Sequence, residues 1–288
     1  MNPGYAGFNN ALEGTMAHRL QWRGIEGAPT TSFLGLHGAL GQHIGLGGKI
    51  TIDETDILQR ITGGASMAYR LKLGADQQLA VGLTAAFTQN RIQFEDVIVG
   101  DAMDDLLFNS NQNGTTVDLE FGLTYQWKRL QVGLAGMQLL ESGVNHDRQD
   151  GEGTLELRRH WVGFARYEFP ISASWFFQPS AMIRAQEDGD AQVDLNGQVS
   201  WRHRLYIGGG YRQDAGVIAL ASVRMADRIM VGYAFEFSGS GIANNSNGSH
   251  EFMLGYGLRR WKKPPPKPKE PEVSAVVKSD TTVLDSNG

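Results

Sequence analysis

The chain has 288 residues, 41% hydrophobic and 20% charged, with 31 acidic against 26 basic side chains, a net charge of −5 and no cysteine. That balance argues against nucleic acid as the main partner, and the missing cysteines exclude disulfides, thiolate metal sites and cysteine nucleophiles together. No run of about 18 apolar residues exists and the mean hydropathy is −0.29, which excludes a helical membrane protein but not a membrane β-barrel, where only half of each strand faces lipid.

The chain opens with NPGYAGFNNALEG and no export signal ahead of it, so an exported protein is expected here in a trimmed, mature form. Alternating segments then follow to residue 261. Weaker ones occupy 14–23, 30–40 and 42–52. In 61–73, Ile61, Ala65, Met67, Tyr69, Leu71 and Leu73 oppose Thr62, Gly64, Ser66, Ala68, Arg70 and Lys72. A strand period sorts these two sets onto opposite faces, whereas a helical period scatters them.

After a further segment at 77–90, the clearest case is 117–127. There Val117, Leu119, Phe121, Leu123, Tyr125 and Trp127 form one face and Asp118, Glu120, Gly122, Thr124 and Gln126 the other. Segments at 130–140, 155–169, 174–185, 193–202, 204–212, 216–224, 230–238 and 250–261 complete the series. The last reads HEFMLGYGLRRW, with His250, Phe252, Leu254, Tyr256 and Leu258 on its greasy side. The total is about fourteen, most close to the 9–11 residues a tilted strand needs to cross a bilayer.

Every other connection is tight: near residues 39–42, 74–77, 128–129, 170–173, 203–204 and 225–228. The intervening ones include the long polar stretches 91–115, 141–154 and 239–249. Short turns on one rim and long loops on the other are expected of an outer-membrane barrel, the short turns being periplasmic. The fold expected is all-β, a transmembrane antiparallel up-and-down barrel of about fourteen strands, with both termini periplasmic. The last strand should close against the first, near residues 14–23, because a barrel leaves no free edge. Trp127, Trp175, Trp201 and Trp261 all fall at short-turn ends, where an interfacial aromatic girdle belongs. A soluble sandwich or propeller also alternates, but it explains neither the loop asymmetry nor the placement of tryptophan.

Residues 1–261 form the barrel domain. Residues 262–288, beginning KKPPPKPKEP, form a Pro/Lys-rich periplasmic tail or linker expected to be disordered, extended at about 3.1 Å per residue where proline dominates.

The inward faces carry Arg19, Lys49, Arg70, Asp118, Glu120, Glu156, Arg158, Arg166, Glu168, Arg184, Asp194, Arg202, Arg212, Arg224, Glu236 and Glu251. Mixed signs pair more readily than they select ions, so a lumen of mutually paired charges is favoured over a selective channel lining. No metal site is expected. The seven histidines have no pair at ligand spacing beyond the loose His37 and His43, and EDVIVGDAMDD at 95–105 lacks the order of a calcium loop. The triple glycine at 208–210 lies within a strand pattern rather than before a helix, so it reads as close packing and not as a phosphate loop. Ser200 with His203, or Ser249 with His250, lacks a third member and an oxyanion donor. No catalytic site and no cofactor is expected. Recognition is expected on the long loops.

The opening NPGYAG, with Asn2, Pro3, Tyr5, Ala6 and Gly7, and the closing SHEFMLGYGLR, with His250, Glu251, Gly255 and Tyr256, resemble the PorP/SprF family of the type IX secretion system of Bacteroidetes. Between them the MAHRLQWRGI spacing, the hairpin SFLGLHGAL…HIGLGGKI and YRLKL followed by LAVGL extend the resemblance over residues 1–261. Gly4 stands where the family usually has alanine. The resemblance implies an outer-membrane barrel working with other type IX components. Its role would be secretion of a cargo protein or anchoring of a surface adhesin, including gliding adhesins. The alternative is a channel or hydrophobic-solute transporter, because the strand number also suits a fatty-acid-transporter-like barrel.

Overall fold

A computed structural model describes residues 1–92, 112–146, 153–187, 189–213, 215–237 and 246–259. A short 3-10 turn (Pro3–Tyr5) precedes β1 (Ala11–Leu20), β2 (Thr30–Leu40), β3 (Ile44–Thr55), β4 (Leu58–Gly74), β5 (Gln77–Ile92) and β6 (Gln112–Trp127). Next come β7 (Leu130–Met137), β8 (Gly143–His146), β9 (Gly153–Glu156), β10 (His160–Tyr167), β11 (Phe169–Pro170) and β12 (Trp175–Gln186). The chain continues through β13 (Gln192–Trp201), β14 (Leu205–Arg212), β15 (Gly216–Met225), β16 (Ile229–Glu236) and β17 (Ser249–Arg259).

All of these strands except β8, β9 and the two-residue β11 are staves of one closed antiparallel barrel of 14 strands. The alternation is turned inside out relative to a soluble protein. In β6, Val117 is 67% exposed and Leu119 43%, whereas Asp118 and Glu120 are each 5% exposed. Apolar side chains facing outward suit a lipid surround, while charges facing lipid would cost about 2–4 kcal/mol each at the bilayer midplane.

Closure runs from Ala11 opposite Arg259 to Leu20 opposite His250. Met16 and Leu254 are register partners and both point outward. In a chain without cysteine, Met16→Cys with Leu254→Cys should form one disulfide on mild oxidation. Met16→Cys with Leu258→Cys, displaced by about 13 Å along the strand, should not. Cross-linking of the displaced pair, read by gel mobility, would refute this closure.

Four differences from the sequence reading have physical causes. First, β6 begins at Gln112 rather than 117, because residues that rise above the apolar band need no greasy face and QNGTT carries none. Second, the expected loop 141–154 holds the β8–β9 hairpin, and the expected strand 155–169 is broken. Glu156 therefore sits in β9, outside the barrel wall, and Arg158 in the link to β10. Third, β3 and β4 run to Thr55 and from Leu58, past the apolar segments 42–52 and 61–73, so their connection is only residues 56–57. Fourth, Arg202 leaves the strand instead of lining the lumen: with His203 it forms the centre of a turn, both at φ 52°, closed by Arg204 N–H donating to Trp201 O at 2.9 Å. Two central residues at positive φ mark the type I′ hairpin turn. Trp261, the tail 262–288, the stretch 95–105 and most of the loops 91–115 and 239–249 lie outside the described residues.

Candidate functional site

The small inward residues of the wall make a seat. In register across five neighbouring strands run Gly45, Ala68, Gly82, Gly122 and Ala135, one from each of β3 to β7. A row of such residues leaves a groove where backbone can approach backbone. The N-terminal segment fills it from inside the lumen. A methyl group at Gly45 would fall on the Ala6 carbonyl, one at Gly82 on the Pro3 carbonyl, and one at Gly122 on the Asn2 side chain.

Each end of the segment is tied down. Asn2 caps the 3-10 turn, its Oδ1 accepting from Gly4 N–H at 2.8 Å. Its Nδ2 donates to the carbonyls of Leu123 at 3.0 Å and Leu134 at 3.1 Å. Gly7, at φ 62°, donates to His37 Nδ1 at 3.2 Å. Arg70, 2% exposed, donates to Gly7 O at 2.7 Å and Asn10 Oδ1 at 2.5 Å, and also to Gly41 O and Ile44 O beside the β2–β3 turn. Gln78 Nε2 donates to Phe8 O. Ala6, Phe8 and Pro3 are buried. Thus the NPGYAG residues share one task, lining the lumen at the end of the barrel where the short turns lie.

Mid-lumen, Lys49 Nζ reaches Glu120 at 2.7 Å. Toward the opposite end the inward charges form one chain. Arg184 meets Asp194 at 2.8 Å and Asp194 meets Arg212 at 3.2 Å. Arg212 meets Glu236 at 2.8 Å, Glu236 meets Arg19 at 2.9 Å, and Arg19 meets Glu251 at 3.4 Å. Three cations and three anions alternate, so the chain is neutral. Five of these six residues, with Gln21, Trp22, Thr31 and Gln192, line a cavity of about 750 Å³ at the long-loop end. Its rim is held by backbone bonds: Arg23 N–H donates to Gly248 O and Asn247 N–H to Arg23 O, while Trp22 N–H donates to Ser249 Oγ.

The closing motif divides between the two faces of β17. Glu251 enters the charge chain. His250 lies on the other side, its Nδ1 2.8 Å from the Tyr233 hydroxyl, and Tyr256 is exposed there too. Gly255 is opposite Thr15 on one side and Met230 on the other. Trp127, Trp175 and Trp201 stand partly exposed at short-turn strand ends, Trp175 directly opposite Trp201.

His37 binds the N-terminal segment, whereas His43 stacks on Tyr69. Among the described residues no three metal-ligating side chains converge. No hydrogen bond joins Ser200 to His203 or Ser249 to His250 among them either: His203 stacks on Phe176 and lies 3.7 Å from Glu168. In β14, Gly208 and Gly210 make room for Gln198 and Asn196. Sequence reasoning found the charges of the cup but missed Trp22 and the seat. The signal for the seat was there, as glycine or alanine on the inward parity of successive strands.

Comparison with known proteins adds three findings. A profile of the family described as type IX secretion system membrane protein PorP/SprF matches residues 1–256. Curated protein sequences give no match. Among solved structures, a Pseudomonas aeruginosa FadL homologue is 9% identical with a TM-score of 0.53, covering 90% of this chain and 92% of that one. The Ralstonia pickettii toluene transporter TbuX is 11% identical with a TM-score of 0.50 over the same shares, 90% and 92%. The Pseudomonas putida toluene transporter TodX is 8% identical with a TM-score of 0.53, again over 90% and 92%. At such identities the likeness is one of fold.

Proposed function

Because the chain belongs to the type IX secretion system PorP/SprF membrane-protein family, we propose that it is a non-enzymatic outer-membrane adaptor that binds a secreted cargo protein or adhesin and couples it to the secretion machinery. One observation carries the reading. Residues 2–10 pack against the inner wall at the short-turn end of the barrel, and a charge-lined cup lies toward the other end. In this reading the segment narrows the lumen from the periplasmic side, and the barrel offers the outside a receptor rather than a conduit. The cup and the long loops take the cargo, and the tail 262–288 reaches periplasmic components.

A hydrophobic-solute channel shares the wall, but it needs an apolar path, and the lumen here presents Lys49, Arg70, Glu120 and the six-charge chain. The test is genetic and then biochemical. Deleting the gene should remove cargo from the cell surface, and restoring it should return the cargo. Trp22→Ala, which strips the one large aromatic side chain that lines the cup among the described residues, should weaken cargo binding by about 30-fold, the loss typical of an interfacial hot spot. Normal display in the deletion strain would overturn the adaptor role, and uptake of a hydrophobic solute by reconstituted protein would favour the channel.

A further inference from the structure

The periplasmic turns repeat one local device. At the foot of β6, Lys128 follows Trp127 with φ 52°, and its ammonium lies 5.7 Å from the centre of the Trp127 ring. At the foot of β13, Arg202 follows Trp201, also with φ 52°, and its guanidinium lies 4.9 Å from the centre of that ring. A side-chain-bearing residue adopts this left-handed backbone at a cost. The tight hairpin turns account for that backbone, as they do at Ala226 and Asp227 of the β15–β16 turn; what the first two turns share beyond it is a cation folded back over an outward-facing indole. Arg129, Arg204 and Arg228 extend the line of cations along the same rim, all exposed. Among the described residues only Arg204 of these five has a carboxylate within reach, Asp227 at 3.9 Å, and both of those side chains are largely exposed.

We infer that this arc, from the β6–β7 turn to the β15–β16 turn, is a binding site for the phosphate headgroups of anionic phospholipids in the periplasmic leaflet. The chemistry follows from depth. Outward tryptophans at strand ends sit where acyl chains give way to headgroups, so cations stacked on them lie at the level of lipid phosphate. A planar guanidinium pairs with phosphate through two parallel hydrogen bonds. A soluble acidic protein would meet the turn tips, but it would have no use for the half-exposed rings. The cations fall on three turns of this arc, whose fourth link, residues 168–174, has no Lys or Arg and carries Glu168. The β2–β3 turn, residues 41–43, also has none, and the β4–β5 turn carries Asp76. Among the described residues the cations of these turns therefore mark one side of the rim.

The test uses the full protein in bilayers of phosphatidylcholine with increasing phosphatidylglycerol, the latter brominated so that bound lipid quenches tryptophan emission. A basic residue at an anionic surface strengthens association about fivefold. Allowing for shared lipids, phosphatidylglycerol should be preferred over brominated phosphatidylcholine by at least about threefold, and the preference should fall with added salt. Lys128→Gln with Arg129→Gln, Arg202→Gln and Arg204→Gln should bring the ratio close to one, while heat-modifiable migration confirms a folded barrel. If that variant does not fold, the parent's salt dependence and the two-site variant Lys128→Gln with Arg202→Gln decide. Equal quenching by both lipids would overturn the proposal, as would a preference that survives the substitutions. Binding of soluble polyglutamate without any lipid preference would likewise overturn it and assign the arc to an acidic protein.

Discussion

Gly45→Leu is expected to expel the N-terminal segment and raise the conductance of the reconstituted barrel, leaving the wall intact. The position allows no accommodation, since even the first carbon of a side chain would fall on the Ala6 carbonyl, which is backbone and cannot rotate away. Overpacking of this kind costs about 1–3 kcal/mol or more. Arg70→Gln should reach the same state from the other side. It removes the donors to Gly7 O and Asn10 Oδ1, and hydrogen bonds from a charged group contribute about 1.5–3 kcal/mol each. A combined loss of about 3 kcal/mol would lower amide protection within residues 6–10 by roughly 100-fold, the Phe8 and Asn10 N–H groups being held by Tyr5 O and Gly7 O. Hydrogen exchange and single-channel recording together check the expectation. If both variants keep parental exchange and parental conductance, the segment is not what narrows the lumen.

The wall was readable in the sequence because a bilayer imposes contrast on it. Val117 and Leu119 must face lipid while Asp118 and Glu120 must not, and that difference survives in a single strand. Contrast fades above the membrane, which is why the polar residues 112–116 read as loop although they continue the ladder opposite β5. It fades also at 157–159, where the chain links β9, outside the wall, to β10 and no period remains. The inward charges were readable as a class, but their partners were not. Arg19 and Glu236 are 217 residues apart and meet only because closure sets β1 beside β17 and β17 beside β16. The seat lies further still from local reading. Gly45, Gly82 and Gly122 look unrelated along the chain, and only the strand register brings them to one height. NPGYAG could be matched to a family as a string of letters, yet what those residues do depends on that row.

Glu236→Gln is expected to be among the most damaging single charge changes in the cup. Glu236 holds two arginines at once, Arg212 at 2.8 Å and Arg19 at 2.9 Å, from a side chain only 5% exposed. Neutralising it leaves two partly buried guanidinium groups short of a counter-charge, and breaking a buried pair from one side costs about 3–5 kcal/mol. Arg19 and Arg212 are about one-fifth exposed, 19% and 20%, so water recovers part of the loss, and about 3 kcal/mol is the expected fall in unfolding free energy. Glu251 ends the same chain with a side chain 41% exposed and a longer contact of 3.4 Å. Removing a charge from so open a pair should cost less than about 1 kcal/mol. Urea unfolding in lipid-detergent discs would separate these values, and equal losses for the two variants would show that the chain is not a coupled frame. The contrast bears on function as well. Glu251→Gln changes the floor of the cup without loosening the strands that carry it, so it should alter cargo binding alone. Glu236→Gln should lower stability and cargo binding together, because the receptor surface and the frame that fixes it are made of the same charges.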